Sequence, residues 1–87
     1  MGDVVLEGKS VLENVMLGME GVTEEMVEEA CRAALFHEFV RDLEGGYGTV
    51  LGGGGGSGGG VALSGGQKQR LAIARARLRN PAVLILG

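Results

Sequence analysis

The nine residues from Gly52 to Gly60 hold eight glycines, interrupted only by Ser57, and a stretch of that composition has nothing to place in a core. Glycine buries no side chain and loses more backbone freedom on ordering than any other residue. The run therefore reads as a flexible loop, and residues 1–51 and 61–87 must supply all the packing. With 18 glycines in 87 residues, the chain is one small domain or a portion of one. Cores of this size rarely supply more than roughly 3–5 kcal/mol, so a stable fold without further sequence is not expected.

One cysteine, Cys31, excludes an internal disulfide, and one Cys with one His is too few for a zinc site. An intracellular setting fits that usage. No apolar run approaches the roughly 20 residues of a membrane span, and no leader pattern opens the chain. Charge is strongly asymmetric. Residues 1–44 hold all 11 acidic residues against Lys9, Arg32 and Arg41, a net −8, whereas residues 45–87 carry +5. Those five are Lys68, Arg70, Arg75, Arg77 and Arg79, all on one predicted helix. They read equally as a solvated face complementing the helix dipole or as bases with a direct role. Nucleic acid is disfavoured as a partner, because the acidic half repels it and Tyr47 is the sole Tyr or Trp for stacking.

Ser10 and Glu13 fit a capping box ahead of a short helix, Val11 to Leu17, which Gly18 would stop. Thr23 caps a second helix. In it Met26, Val27, Ala30, Cys31, Ala34 and Leu35 form an apolar stripe, while Glu24, Glu25, Glu28, Glu29 and Arg32 take the other face. Cys31 lies in the stripe and reads as core packing. A third helix is predicted over residues 37–43, with Phe36, Phe39, Val40 and Leu43 turned inward and His37 at the surface or hydrogen bonded.

Beyond the glycine run stands the octet Leu63-Ser64-Gly65-Gly66-Gln67-Lys68-Gln69-Arg70. Ser64 and the two glycines end a loop and open a helix, leaving backbone N–H groups at the positive end of its dipole, which suits an anion such as phosphate. Leu71, Ala74 and Leu78 then make a narrow apolar seam flanked by Ala72 and Ala76. Asn80-Pro81 ends the helix, and residues 82–86 form an unbroken apolar run of strand length, of the kind buried on both faces of a parallel sheet. Gly8-Lys9-Ser10 does not complete a phosphate-binding P-loop, since five residues separate Gly2 from Gly8 where that loop has four.

The octet, with Leu71-Ala72-Ile73-Ala74-Arg75-Ala76 after it, closely resembles the Leu-Ser-Gly-Gly-Gln signature of the ATP-binding cassette (ABC) ATPases. Leu43 to Val50 resembles the Leu-Pro-x-Gly-Tyr-Asp-Thr segment of ABC exporters, with Glu44 and Gly48 in place of the proline and aspartate. Gly53 and Gly54 stand where exporters carry Glu-Arg. The strand of residues 82–86 resembles the Walker B strand, with Gly87 at the magnesium-binding aspartate position. Counting back from Asn14, the Q-loop glutamine falls near Gly2. DNA-repair and chromosome-organising ATPases carry a related signature, but usually have an acidic residue at the place of Gln67.

The resemblance implies an α/β P-loop NTPase (ABC ATPase) fold in the parent, of which this chain would be the mostly α part with one terminal β-strand. Residues 1–51 would belong to the helical subdomain, 52–60 to a Gly-rich flexible loop, and 61–87 to the signature motif, its helix and an incomplete Walker B strand. Ser64, Gly65, Gly66 and Gln67 would bind ATP held in trans by a second nucleotide-binding domain. Magnesium would enter only through that partner's Walker A and B residues. The implied partners are that domain and the transmembrane domains of a multidrug or peptide exporter, with no nucleic acid. The implied place is the nucleotide-accessible, cytoplasmic-type face of a membrane, the segment itself being soluble. The parent would hydrolyse ATP to drive transport, and the chain alone would not. An alternative is a non-catalytic interaction module or truncated gene product without ATPase activity.

Overall fold

The computed structural model describes residues 4–52 and 60–82. Among these described residues, four α-helices occur in the order α1 (Val11–Met16), α2 (Glu24–Ala33), α3 (His37–Arg41) and α4 (Gly65–Arg79), with a 3-10 turn at Gly46–Gly48 between α3 and α4. The described residues contain no strand beyond two isolated bridges, Ser10 with Val50 (antiparallel) and Leu51 with Val61 (parallel). The strand expected over 82–86 lies, apart from Ala82, outside the described residues, as does the interior of the glycine run.

Side-chain caps start α1, α2 and α4 where the sequence places them, whereas α3 opens after Phe36 with no side-chain cap. Ser10 accepts a hydrogen bond from the N–H of Glu13 at 3.1 Å, and the Glu13 carboxylate accepts one from the N–H of Ser10 at 2.9 Å, a complete capping box. These bonds hold the Glu13 carboxyl below its ordinary pKa. Thr23 caps α2 through the N–H of Met26. The ends differ from expectation. Leu17, with φ of +49°, already turns the chain out of α1 ahead of Gly18.

At the end of α2, Leu35 takes the left-handed conformation with φ of +59°. Its N–H reaches the carbonyl of Arg32, and the N–H of Phe36 reaches that of Cys31 at 2.8 Å, the paired bonds of a Schellman motif. The turn swings Leu35 into solvent at 60 % exposure and Phe36 fully into the core. The apolar stripe is therefore narrower than predicted. Val27, Ala30, Cys31 and Ala34 are buried, whereas Met26 at one end and Leu35 at the other are exposed.

The helix α4 lies against both α2 and α1. Leu71 and Ala74 from α4, Val27, Ala30 and Cys31 from α2, Val11 and Val15 from α1, and Phe36, Val40 and Leu51 close one continuous core. Phe36 stacks on Phe39 with ring centroids 5.6 Å apart. Residues 50–52 and 60–61 are laced together, with Gly52 N–H donating to Val61 and Val61 N–H to Val50, both at 2.9 Å. The two ends of the glycine run are thus held side by side.

Candidate functional site: the N-terminus of α4

Ser64 has extended backbone angles and caps α4, its Oγ accepting from the N–H of Gln67 at 3.2 Å. The Gln67 Oε1 in turn accepts from the N–H of Ser64 at 2.8 Å. This second capping box was not read from the sequence, although Ser64 and Gln67 have the required spacing. It fixes what each side chain can offer. The Ser64 hydroxyl uses a lone pair for the cap and keeps its proton to donate outward. Gln67 has its oxygen engaged and keeps its amide Nε2 hydrogens.

The N–H groups of Gly65 and Gly66, first and second in the helix, have no hydrogen-bond partner among the described residues. Both glycines are exposed and helical, and neither has a positive φ. A Cβ built on either would meet nothing within 4 Å. Neither conformation nor packing against the described residues therefore requires glycine here, although each glycine costs a helix roughly 0.5–1 kcal/mol relative to alanine. What remains is an exposed backbone, with two N–H donors, a hydroxyl and a side-chain amide grouped within residues 64–67 at the positive end of a 15-residue helix. These residues fit a phosphate group.

Ser64, Gly65 and Gly66 lie at an exposed helix end. A concavity of about 520 Å³ is lined by Arg32, Leu35, His37, Glu38 and Arg41, none of them from α4. His37, expected at the surface or hydrogen bonded, meets the Tyr47 hydroxyl at 2.8 Å through Nδ1 and stacks on its ring. Burial pushes the thiol of Cys31 up to about 11, in keeping with a packing role. Among the described residues no three His, Cys, Asp or Glu side chains gather to hold a metal ion. No described helix is long and apolar enough to cross a membrane.

The base pattern on α4 needs correction. Lys68, Arg70 and Arg79 are exposed, but Arg75 is only 2 % exposed, and it donates through Nε to the backbone carbonyl of Asn14 at 2.7 Å and through Nη2 to Asn14 Oδ1 at 3.2 Å. Arg77 pairs with Glu29 at 2.8 Å. The signal for Arg75 was present in the sequence. Leu71, Arg75 and Leu78 fall at i, i+4 and i+7, on the buried side, and Asn14 interrupts an otherwise apolar face of α1.

No family model matches the chain. Individual relatives do. It is 48 % identical over 86 residues to the sophorolipid transporter of Starmerella bombicola, covering 94 % of this chain and 6 % of that protein. It is 44 % identical over 81 residues to the alpha-hemolysin translocation ATP-binding protein of Escherichia coli O157:H7, covering 93 % and 11 %. Among solved structures it is similar to a bacterial Atm1-family ABC exporter with ATP bound, with a TM-score of 0.71 and 34 % identity over 94 % of this chain and 14 % of that one. The chain is of the ATP-binding cassette class. Within that class it corresponds to a segment of the exporters, and it spans about 6–14 % of the length of these relatives.

Proposed function

We propose that this chain is the signature-bearing part of an ABC exporter's nucleotide-binding domain, and that the N-terminus of α4 contacts the γ-phosphate of ATP held by a second such domain. Ser64 donates its hydroxyl, Gly65 and Gly66 their N–H groups, and Gln67 its amide at the edge of the same site. Bound ATP brings the phosphate charge and its magnesium, and the partner domain holds both. The work of this chain is to donate and orient hydrogen bonds. In the parent, ATP turnover at such shared sites drives transport across the membrane, with the transmembrane domains meeting the region of α1 to α3.

The observation that carries the reading is the Gly65-Gly66 pair, bare of neighbours and of any conformational need for glycine, beside a hydroxyl whose proton the cap leaves free. The test mixes the purified chain with an intact cassette that has its own Walker A but a disabled signature, and follows ATP turnover. Turnover should appear on mixing and be lost with Ser64→Arg. Gly66→Ala should raise the stability of the chain by up to about 1 kcal/mol, from helix propensity, while lowering turnover. Gly66→Ala that supports full turnover, or ATP hydrolysis by the pure chain, would overturn the reading.

A further inference from the structure

Asn14 and Arg75 face each other from α1 and α4, both almost wholly buried, at 0 % and 2 % exposure. Arg75 lies about 15 Å along α4 from its first residue, given a rise of about 1.5 Å per residue, so it cannot itself reach anything bound at Ser64. Its hydrogen bonds to Asn14 lead the other way. Asn14 Oδ1 accepts from the N–H of Leu6 at 2.7 Å, and Nδ2 is within bonding distance of the carbonyls of Leu6, Lys9 and Ser10. The Asn14 carbonyl, left over at the end of the short α1, takes the Arg75 Nε–H. Arg75 thus grips a residue that is itself fastened to the turn of residues 6–10.

Arg77 also meets Glu29 of α2 at 2.8 Å, but at an exposed edge where water and salt weaken the pair, and the apolar contacts of α4 have no such direction. Leu71, Ala74 and Leu78 bury apolar surface, which is gained almost equally over a range of rotations and small slides, and two of the flanking residues are alanines. Hydrogen bonds from a planar guanidinium weaken steeply off axis. A slip of one residue in α4 would turn its donors by about 100° and shift them about 1.5 Å.

We propose that Arg75 is a positioning residue: held by Asn14, it fixes the rotation and axial register of α4, and so the direction in which Ser64, Gly65 and Gly66 present their donors. The consequence for ATP rests on the function proposed above, whereas the pin itself does not.

The test uses the full chain labelled with ¹⁵N. In the unaltered chain the Nε–H of Arg75 should exchange with water at least about tenfold more slowly than that of exposed Arg70, as a buried hydrogen bond requires. Arg75→Lys keeps the charge but cannot fill both positions on Asn14. With helix content retained, it should move the amide resonances of Gly65 and Gly66, whereas Arg79→Gln, four residues on and exposed, should leave them in place. In the mixed assay Arg75→Lys should lower turnover at saturating chain by about tenfold to a hundredfold, with little change in the half-saturating concentration.

An unprotected Arg75 Nε–H, or unmoved Gly65 and Gly66 resonances in a folded Arg75→Lys chain, would overturn the proposal. So would full turnover recovered simply by adding more of the variant. Where Arg75→Lys does not fold, exchange in the unaltered chain decides. If the unaltered chain supports no turnover at all, the ATP reading fails and the pin is judged on its resonances alone.

Discussion

Arg75 and Arg77 are two residues apart on α4, yet one guanidinium is buried against Asn14 and the other meets Glu29 at a water-exposed edge. Exposed pairs contribute about 0–1 kcal/mol because water and salt screen them, and Glu29 is 57 % exposed. Glu29→Gln should therefore change stability by less than about 0.5 kcal/mol, and by less still in high salt. Asn14→Ala leaves the part-buried Leu6 N–H and one buried Arg75 nitrogen without their Asn14 partner, and takes a second donor from the carbonyls of Leu6, Lys9 and Ser10. It should cost about 2–4 kcal/mol, read as a lower urea midpoint at unchanged slope. Cys31 makes the residue scale visible in pH. Burial lifts its thiol to about 11, so the native state keeps a proton that the unfolded chain loses near pH 9. Its contribution is complete below the unfolded value and is lost as pH climbs toward 11. Burial also raises the Tyr47 hydroxyl, whose loss begins later because its unfolded value is about 10. Cys31→Ala should delay the alkaline fall in stability by about one pH unit, measured by urea titrations from pH 8 to 11.

At the scale of elements, the end of α2 joins a favourable bond pattern to an unfavourable residue. The Schellman bonds from Leu35 and Phe36 require the left-handed conformation at position 35, where a β-carbon is crowded and glycine is usual. Leu35 is 60 % exposed, so little packing is lost by removing it. Leu35→Gly should stabilise the chain by about 0.5–1 kcal/mol, net of the extra freedom of unfolded glycine, and thermal unfolding would show it. This site also marks where sequence reading stopped. The starts of α1 and α2 were legible because caps are local, a hydroxyl bonding an N–H three residues on. The end of α2 was not, because Leu35 carries no mark of a left-handed turn, and what drives the turn is the burial of Phe36 against distant residues. Arg75 was missed for a related reason. Its spacing from Leu71 and Leu78 matches the buried side, but its charge favours solvent, and its partner stands 61 positions away in sequence. The signature was legible as a motif, and its donors as free helix N–H groups. That the glycines have no internal justification became visible only once their surroundings were known.

For the molecule as a whole, the glycine run looks like the weakest part of the chain, yet the lacing around it places the sensitivity elsewhere. Leu51 bonds to Gly8 and Lys9 on one side, while Gly52 and Val50 bond to Val61 on the other, so residues 8–11, 49–52 and 60–61 are tied as one knot. With both ends held there, the length of the excursion enters stability only through closure entropy, which grows slowly. Doubling the run by inserting nine further glycines should cost only about 0.6 kcal/mol and leave the helices unchanged. Gly60 is different, because it belongs to the knot. Its φ is +92°, and a Cβ there would lie 3.0 Å from the backbone nitrogen of Gly52 and 3.1 Å from the carbonyl carbon of Leu51. No side-chain rotation relieves a clash with backbone. Gly60→Ala should cost more than the nine-residue insertion, at least about 1 kcal/mol, by straining or parting the Leu51–Val61 bridge. Urea titrations of the two variants would rank them. If the insertion proved the more damaging, the run would be acting as a measured spacer between residues 51 and 61, and the knot could not be what joins the region of α1 to α3 to the helix that carries the signature.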